Sequence, residues 1–230
     1  SHSASHTLIS FAINCGYALI IATWPDTITV VIMKLYIIYV PGLGDRQSPL
    51  IWAQKQFFRS WRLNRSKVEI FQVAWTGDVA FEKRLSKLIE RIDELHERGE
   101  RVSLIGTSAG ASAVINAYAR RKDKVKGVVC ICGALRGADS LPEAAFKLHP
   151  RFKESIELVP DSLKRLSNKD RRSIMTMRPY FDLIVLPKNA MVDGANNRRI
   201  FSFGHLASIA YFLNGKSFMI RRFLRQISKQ

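Results

Sequence analysis

Apolar runs of strand length alternate with stretches of helical period along most of this chain. Residues 34–40, Lys-Leu-Tyr-Ile-Ile-Tyr-Val, are apolar at both positions of the pleat, as a strand buried on both faces must be. Residues 68–75, 102–105 and 125–131 read as further strands. Between the second and third runs, Leu85, Leu88, Ile89, Ile92 and Leu95 recur at helical spacing within 81–98, and Gly99 supplies a stop. Residues 109–120 predict a helix rich in small side chains, suited to close packing on a sheet. Further on, 172–177 and 199–203 predict short strands and 206–213 a helix. Ile220, Phe223, Leu224 and Ile227 form one helical stripe opposite Arg221, Arg222 and Arg225. Strand alternating with helix predicts an α/β domain whose parallel sheet is covered on both faces. In such sheets the site lies at the carboxyl ends of the strands. Pro41-Gly42-Leu43-Gly44-Asp45, after the first core run, falls at one such end.

Two stretches depart from the alternation. Residues 141–172 are interrupted by Pro142, Pro150 and Pro160 and crowded with basic side chains, which predicts broken helices. They read either as a short helical cap over the site or as a surface connection. Residues 1–33 carry a single charged side chain, Asp26. Residues 7–24 are apolar and uncharged, near the lower limit for a membrane span, but lack the basic flank of a secretory signal. Pro25-Asp26 breaks the run and residues 28–33 resume it. This extension reads as a membrane anchor, as an arm packed on the domain, or as non-native upstream sequence. The last fits best with a domain pattern that begins at Met33, so residues 34–230 are expected to form one domain.

Composition narrows the class. A chain of 230 residues, 47% hydrophobic and 24% charged, is globular rather than disordered. Three cysteines exclude a disulfide framework. Cys130 and Cys132 alternate on the 125–131 run, which predicts two small core residues facing the same side. No zinc-ligand spacing occurs, and no metal or organic cofactor is implied. The net charge of +17 predicts attraction to anionic surfaces, with a solvated basic surface as the plainer account. The basic C-terminal stripe is expected to dock on the domain with its cationic face wet; the second reading is contact with an anionic membrane surface. No specific nucleic-acid or protein partner is predicted. The expected location is cytoplasmic, with membrane association if residues 1–33 are an anchor.

The candidate chemistry lies between the 102–105 run and the 109–120 helix. Gly106-Thr107-Ser108-Ala109-Gly110 is a G-x-S-x-G placed where a strand turns into a helix. Such a turn projects a hydroxyl, and the flanking glycines avoid collision with strand and helix. A serine becomes a nucleophile only when a base takes its proton, and a carboxylate then fixes the imidazole. Asp182 and His205 follow in that order, each after a predicted strand; Asp193 is the rival acid. Of the other histidines, His2 and His6 precede the domain, His96 ends a helix and His149 lies in the 141–172 segment.

Through Val40-Pro41-Gly42-Leu43-Gly44, Gly106 to Gly110, Asp182-Leu-Ile-Val185, Gly194-Ala-Asn-Asn197 and Gly204-His205-Leu206, residues 34–213 resemble the α/β-hydrolase superfamily, especially its small lipases and esterases. The resemblance implies a three-layer fold, here a minimal version lacking the first strands. It implies Ser108 as nucleophile, His205 as base and Asp182 as acid. The backbone N–H groups of Leu43 and Ala109 would form the oxyanion hole. Two departures stand out: Pro41-Gly42 replaces the common His-Gly, and Leu186 separates Val185 from Pro187. The implied activity is hydrolysis of a small acyl ester through an acyl-enzyme. The alternatives are a thioesterase, amidase or acyltransferase with the same triad, and a non-catalytic basic binding protein on the same fold.

Overall fold

The structure is a computed structural model that describes residues 19–24, 27–32, 35–62, 66–141 and 143–229. Most of the 7–24 run, and the expected boundary at Met33, lie outside these residues. Strands β1 (Leu19–Trp24) and β2 (Thr27–Ile32) pair antiparallel in a two-stranded sheet of their own. Among the described residues no helix is long and apolar enough to cross a membrane.

The main sheet holds β3 (Leu35–Val40), β4 (Lys67–Ile70), β5 (Arg101–Thr107), β6 (Val125–Ile131), β7 (Ile174–Phe181) and β8 (Asn196–Phe203). Its order is β4-β3-β5-β6-β7-β8, and every neighbouring pair is parallel. Parallel neighbours need crossovers, and up to β7 helices supply them: α1 (Ser48–Arg62), α2 (Phe81–Glu97), α3 (Ala109–Arg120) and the run α4 (Ala144–Lys147), α5 (Pro150–Glu157), α6 (Val159–Lys164) and α7 (Asn168–Arg172), while residues 182–195 join β7 to β8 with a single short 3-10 turn. Helices α8 (His205–Asn214) and α9 (Ser217–Ile227) close the chain. Helix α1 falls in a stretch to which the hydrophobic pattern assigned no element.

The sheet divides the core in two. On one face Ile38, Leu104, Val128 and Ile174 meet Leu88 and Ile92 of α2, Val114 and Ile115 of α3, and Phe152 and Ile156 of α5. On the other, Ile37, Ile105, Val129 and Met175 meet Phe58 and Trp61 of α1, Phe212 of α8, and Ile220 and Leu224 of α9. Strands apolar at every position are thereby buried on both sides. The C-terminal stripe docks on the domain: Ile220, Phe223 and Leu224 are buried, and Leu224 lies over Gly127 of β6.

Two expectations need correction. The 68–75 strand ends at Ile70. Phe71 still donates its N–H to the Tyr39 carbonyl at 2.8 Å, but the chain then turns inward. Ala74 takes a left-handed φ of 60°, and its N–H is held by the Asp45 carboxylate at 2.5 Å. Val73 and Trp75 thus enter the core from a loop, and the Trp75 indole donates to the Pro41 carbonyl at 3.2 Å. The second correction concerns Cys130 and Cys132, which face opposite sides of the sheet. β6 stops at Ile131 and Cys132 adopts a φ of 51°, so the alternation of the pleat no longer applies.

Within the 141–172 stretch, α5 and α6 pack as an integral layer. Phe152, Ile156, Val159 and Leu166 are buried in the core. A buried polar chain also ties α5 and α6 to α3. Ser112 Oγ lies 2.7 Å from Ser155 Oγ, Asn116 Nδ2 donates to the Ser155 carbonyl at 2.8 Å, and Ser162 Oγ donates to Asn116 Oδ1 at 2.8 Å.

Candidate active site

Ser108 stands alone between the end of β5 and the start of α3, with φ 51° and ψ −123°. A non-glycine residue held in so sparsely populated a region costs about 1–3 kcal/mol and needs surroundings that enforce it. Those surroundings are visible. The Ser108 N–H donates to the Ile131 carbonyl of β6 at 2.9 Å, and the Ser108 carbonyl accepts from Ala111 at 3.0 Å. Thr107, just before, shares a buried 2.9 Å hydrogen bond with Tyr39 of β3. The flanking glycines answer a spatial demand. A Cβ on Gly106 would lie 2.4 Å from the Gly110 carbonyl oxygen, and one on Gly110 would lie 2.1 Å from that of Val40. Strand, turn and helix are pressed together, and only hydrogen fits at both positions.

Asp182 follows β7 directly and His205 opens α8 after β8. β7 and β8 are neighbours, and the Gly204 N–H donates to the Phe181 carbonyl at 3.0 Å, so the two strand ends stay together. Gly204, at φ 78°, makes the left-handed turn that aims the next residue back over the sheet. Both side chains are buried. Asp182 Oδ2 lies 2.7 Å from His205 Nδ1, and His205 Nε2 lies 2.9 Å from Ser108 Oγ. Asp182 Oδ1 accepts the backbone N–H groups of Ile184 at 2.9 Å and Val185 at 3.1 Å. Burial by itself would raise the Asp182 carboxyl; the hydrogen bonds from His205 and from Val185 and Ile184 outweigh it and hold the group below the ordinary aspartate range. An ionised Asp182 on Nδ1 keeps the imidazole proton there. The Nε2 lone pair then faces the serine hydroxyl, which donates to it.

The loop after β3 lies over this serine. A Cβ on Gly42 would sit 2.7 Å from Ser108 Cβ and 3.3 Å from its Oγ. Leu43 is the next residue, and Ala109 begins α3. The first N–H groups of a helix lack intrahelical acceptors and carry the positive end of its dipole. Ala109 therefore borders Ser108 in the chain, and Gly42, with Leu43 next to it, borders it in space.

The rival acid is elsewhere: Asp193 is exposed and ion-paired with Arg136 at 2.7 Å. His96 lies on α2, and His149 directly precedes α5. Among the described residues no cluster of His, Cys, Asp and Glu could hold a metal ion. The Ser112–Asn116 chain beneath the elbow helix was not anticipated. Its signal was legible, however: two polar residues four apart in an otherwise small and apolar helix share one buried face.

Neither a family model nor a curated protein sequence matches the chain. Solved structures do. One, described with the metagenome-derived lipolytic enzymes LipS and LipT, is 15% identical, spans 86% of this chain and 95% of its own, and superposes with a TM-score of 0.61. A structure from work on carboxylesterases of the ammonia-oxidizing thaumarchaeon Nitrososphaera gargenis is 13% identical over 85% of this chain and 92% of its own, with a TM-score of 0.58. Est1E from Butyrivibrio proteoclasticus is 15% identical over 95% and 99%, with a TM-score of 0.56. At such identities the likeness is one of architecture. Six parallel strands in this order, helices on both faces and these structural neighbours together define an α/β-hydrolase fold.

Proposed function

We propose that the protein is a serine hydrolase that cleaves carboxylic esters. One observation carries the reading: an unbroken hydrogen-bonded line from Ser108 Oγ through His205 to Asp182, at the carboxyl edge of the sheet. In the first step His205 Nε2 takes the Ser108 proton while Oγ bonds to the ester carbonyl carbon. The carbonyl oxygen becomes an oxyanion, received by the N–H groups of Leu43 and Ala109. The C–O bond to the alcohol then breaks, and the imidazolium returns its proton to the departing alkoxide. Water, deprotonated by the same imidazole, attacks the acyl-enzyme, and the carboxylic acid leaves as Ser108 regains its proton. Asp182 stays ionised throughout and steadies the imidazolium. In this reading α5 and α6 are a fixed part of the scaffold, fastened to α3 through Ser155 and Ser162.

The test is hydrolysis of p-nitrophenyl acetate and butyrate together with labelling by a fluorophosphonate probe. Wild-type protein is expected to give both signals. Ser108→Ala should lower turnover by about a thousandfold or more and abolish labelling, with circular dichroism unchanged. Turnover that survives the substitution removes Ser108 from the mechanism. Parallel assays with a thioester and an anilide rank the leaving groups, and a faster thioester would reassign the substrate class while keeping the serine chemistry. A wild-type protein that neither turns over nor labels, yet retains nucleic acid in a salt-sensitive way, would be a binding protein on this fold.

A further inference from the structure

The ends of β7 and β8 carry apolar side chains that the domain leaves uncovered. Phe201 is 72% exposed, Phe203 58%, Leu183 78% and Leu206 70%. The rings form one cluster: Tyr180 and Phe201 have centroids 6.0 Å apart, and Phe201 and Phe203 5.0 Å. The cross-strand register sets Phe181 opposite Phe203. Isolated exposed hydrophobics are ordinary on any protein, whereas a contiguous group of them marks a contact surface.

The stretch of chain that carries this cluster is charged predominantly with one sign. Downstream of Asp170 the chain has eleven Lys and Arg residues against two acids. Of those acids, Asp182 is buried on His205 and Asp193 is paired with Arg136. Arg199 lies 4.2 Å from the Tyr180 ring centroid, on the face of β8 that carries Phe201 and Phe203, whereas Arg198 turns to the other face, beside Arg222 of α9. Arg178 sits opposite Arg199 in the register, and its buried Nη1 has no hydrogen-bond partner among the described residues. Guanidinium groups around an apolar zone complement anionic headgroups over acyl chains.

A second copy of the chain fits this face poorly, because self-association would bring Arg199 of each copy toward its own like. Single-stranded nucleic acid would use the rings as stacking platforms, but Leu183, Ile184 and Leu206 offer no ring to stack on. Acyl chains accept both kinds of side chain.

We propose that the β7–β8 end is a docking surface for an anionic lipid bilayer, with Phe201, Phe203, Leu183 and Leu206 entering the acyl boundary and Arg199 meeting the headgroups. Leu183 follows Asp182 and Leu206 follows His205, so the bilayer lies at the rim of the proposed active site. The surface is distinct from the basic face of α9, and docking requires no chemistry at Ser108.

The test uses the full chain carrying Ser108→Ala, so that docking and hydrolysis fail or succeed separately. Co-flotation is measured with vesicles of phosphatidylcholine alone and of phosphatidylcholine mixed with phosphatidylglycerol. The chain is expected to float with the mixed vesicles and much less with phosphatidylcholine alone. Adding Phe201→Ser and Phe203→Ser should cut partitioning about tenfold or more. Arg199→Gln should cut it about fivefold, and Arg221→Gln with Arg222→Gln on α9 by less. Thermal midpoints within a few degrees of the parent establish that the variants are folded. Absence of binding to the mixed vesicles overturns the proposal, as does binding indifferent to the two phenylalanines. A larger loss from the α9 pair moves the contact to that helix. Retention of single-stranded RNA in place of vesicles, or a dimer dissolved by the Phe201 and Phe203 changes, assigns the surface to one of those partners instead.

Discussion

At the scale of single residues, Asp182 is the position where burial and hydrogen bonding oppose each other most directly. Three donors hold its carboxylate in the ionised form inside the protein. A carboxyl with a depressed native pKa contributes stability that is present above its unfolded value, about 3.9, and is lost as pH falls through the native value. Asp182→Asn should therefore make the chain less sensitive to acid below about pH 4, a change read by urea midpoints as a function of pH. The same substitution lets the imidazole take the wrong tautomer, and ester turnover should fall by about a thousandfold or more. Asp193→Asn breaks only an exposed pair with Arg136 and should leave turnover within about twofold. The opposite ranking of the two variants would displace Asp182 from its role. Cys130 and Cys132 illustrate a contrasting case: burial pushes both thiols up, so they behave as small core residues.

At the scale of elements, the elbow is a compression of three pieces of backbone. β3, β5 and α3 meet where Gly110 faces the Val40 carbonyl. Gly110→Ala must separate them, at a cost of about 3 kcal/mol or outright misfolding, measured by urea unfolding. Beneath the elbow, Asn116 serves both α5 and α6. Asn116→Ala would leave the Ser162 hydroxyl and the Ser155 carbonyl without these partners, and should cost about 1–3 kcal/mol. A loss below a few tenths of a kcal/mol would mean that the chain does not fasten the two helices. The G-x-S-x-G was visible in the sequence because its glycines answer local backbone crowding. The fastening was less so, since Ser155 and Ser162 lie 39 residues or more beyond Asn116 and nothing local marks them as its partners.

At the scale of the whole molecule, a net charge of +17 is carried on a fold whose acids are largely engaged. Glu69 meets Arg91, Asp93 meets Arg121 and Lys124, and Asp170 meets Lys122. The surplus cations repel one another across the surface. Salt screens that repulsion over about 8–10 Å at physiological ionic strength. Raising salt from a few millimolar to about 0.15 M should therefore raise the thermal midpoint, read by calorimetry. A fall would mean that the ion pairs outweigh the excess charge.

The sequence by itself determined the parallel sheet, the close turn at Ser108 and the chain order of Asp182 and His205. Burial on both faces forces continuous apolar runs, and a close turn forces glycine; both demands act over a few neighbouring residues. Only the tertiary structure decided the end of β4, the opposed directions of Cys130 and Cys132, and the attachment of α5 and α6 to α3. Each depends on groups remote in the chain: Asp45 holding Ala74, the Met177 carbonyl holding the Cys132 N–H, and Asn116 reaching Ser155 and Ser162. The same holds for the line joining Ser108, His205 and Asp182. The sequence supplied its members, and the adjacency of β7 and β8 set their distances.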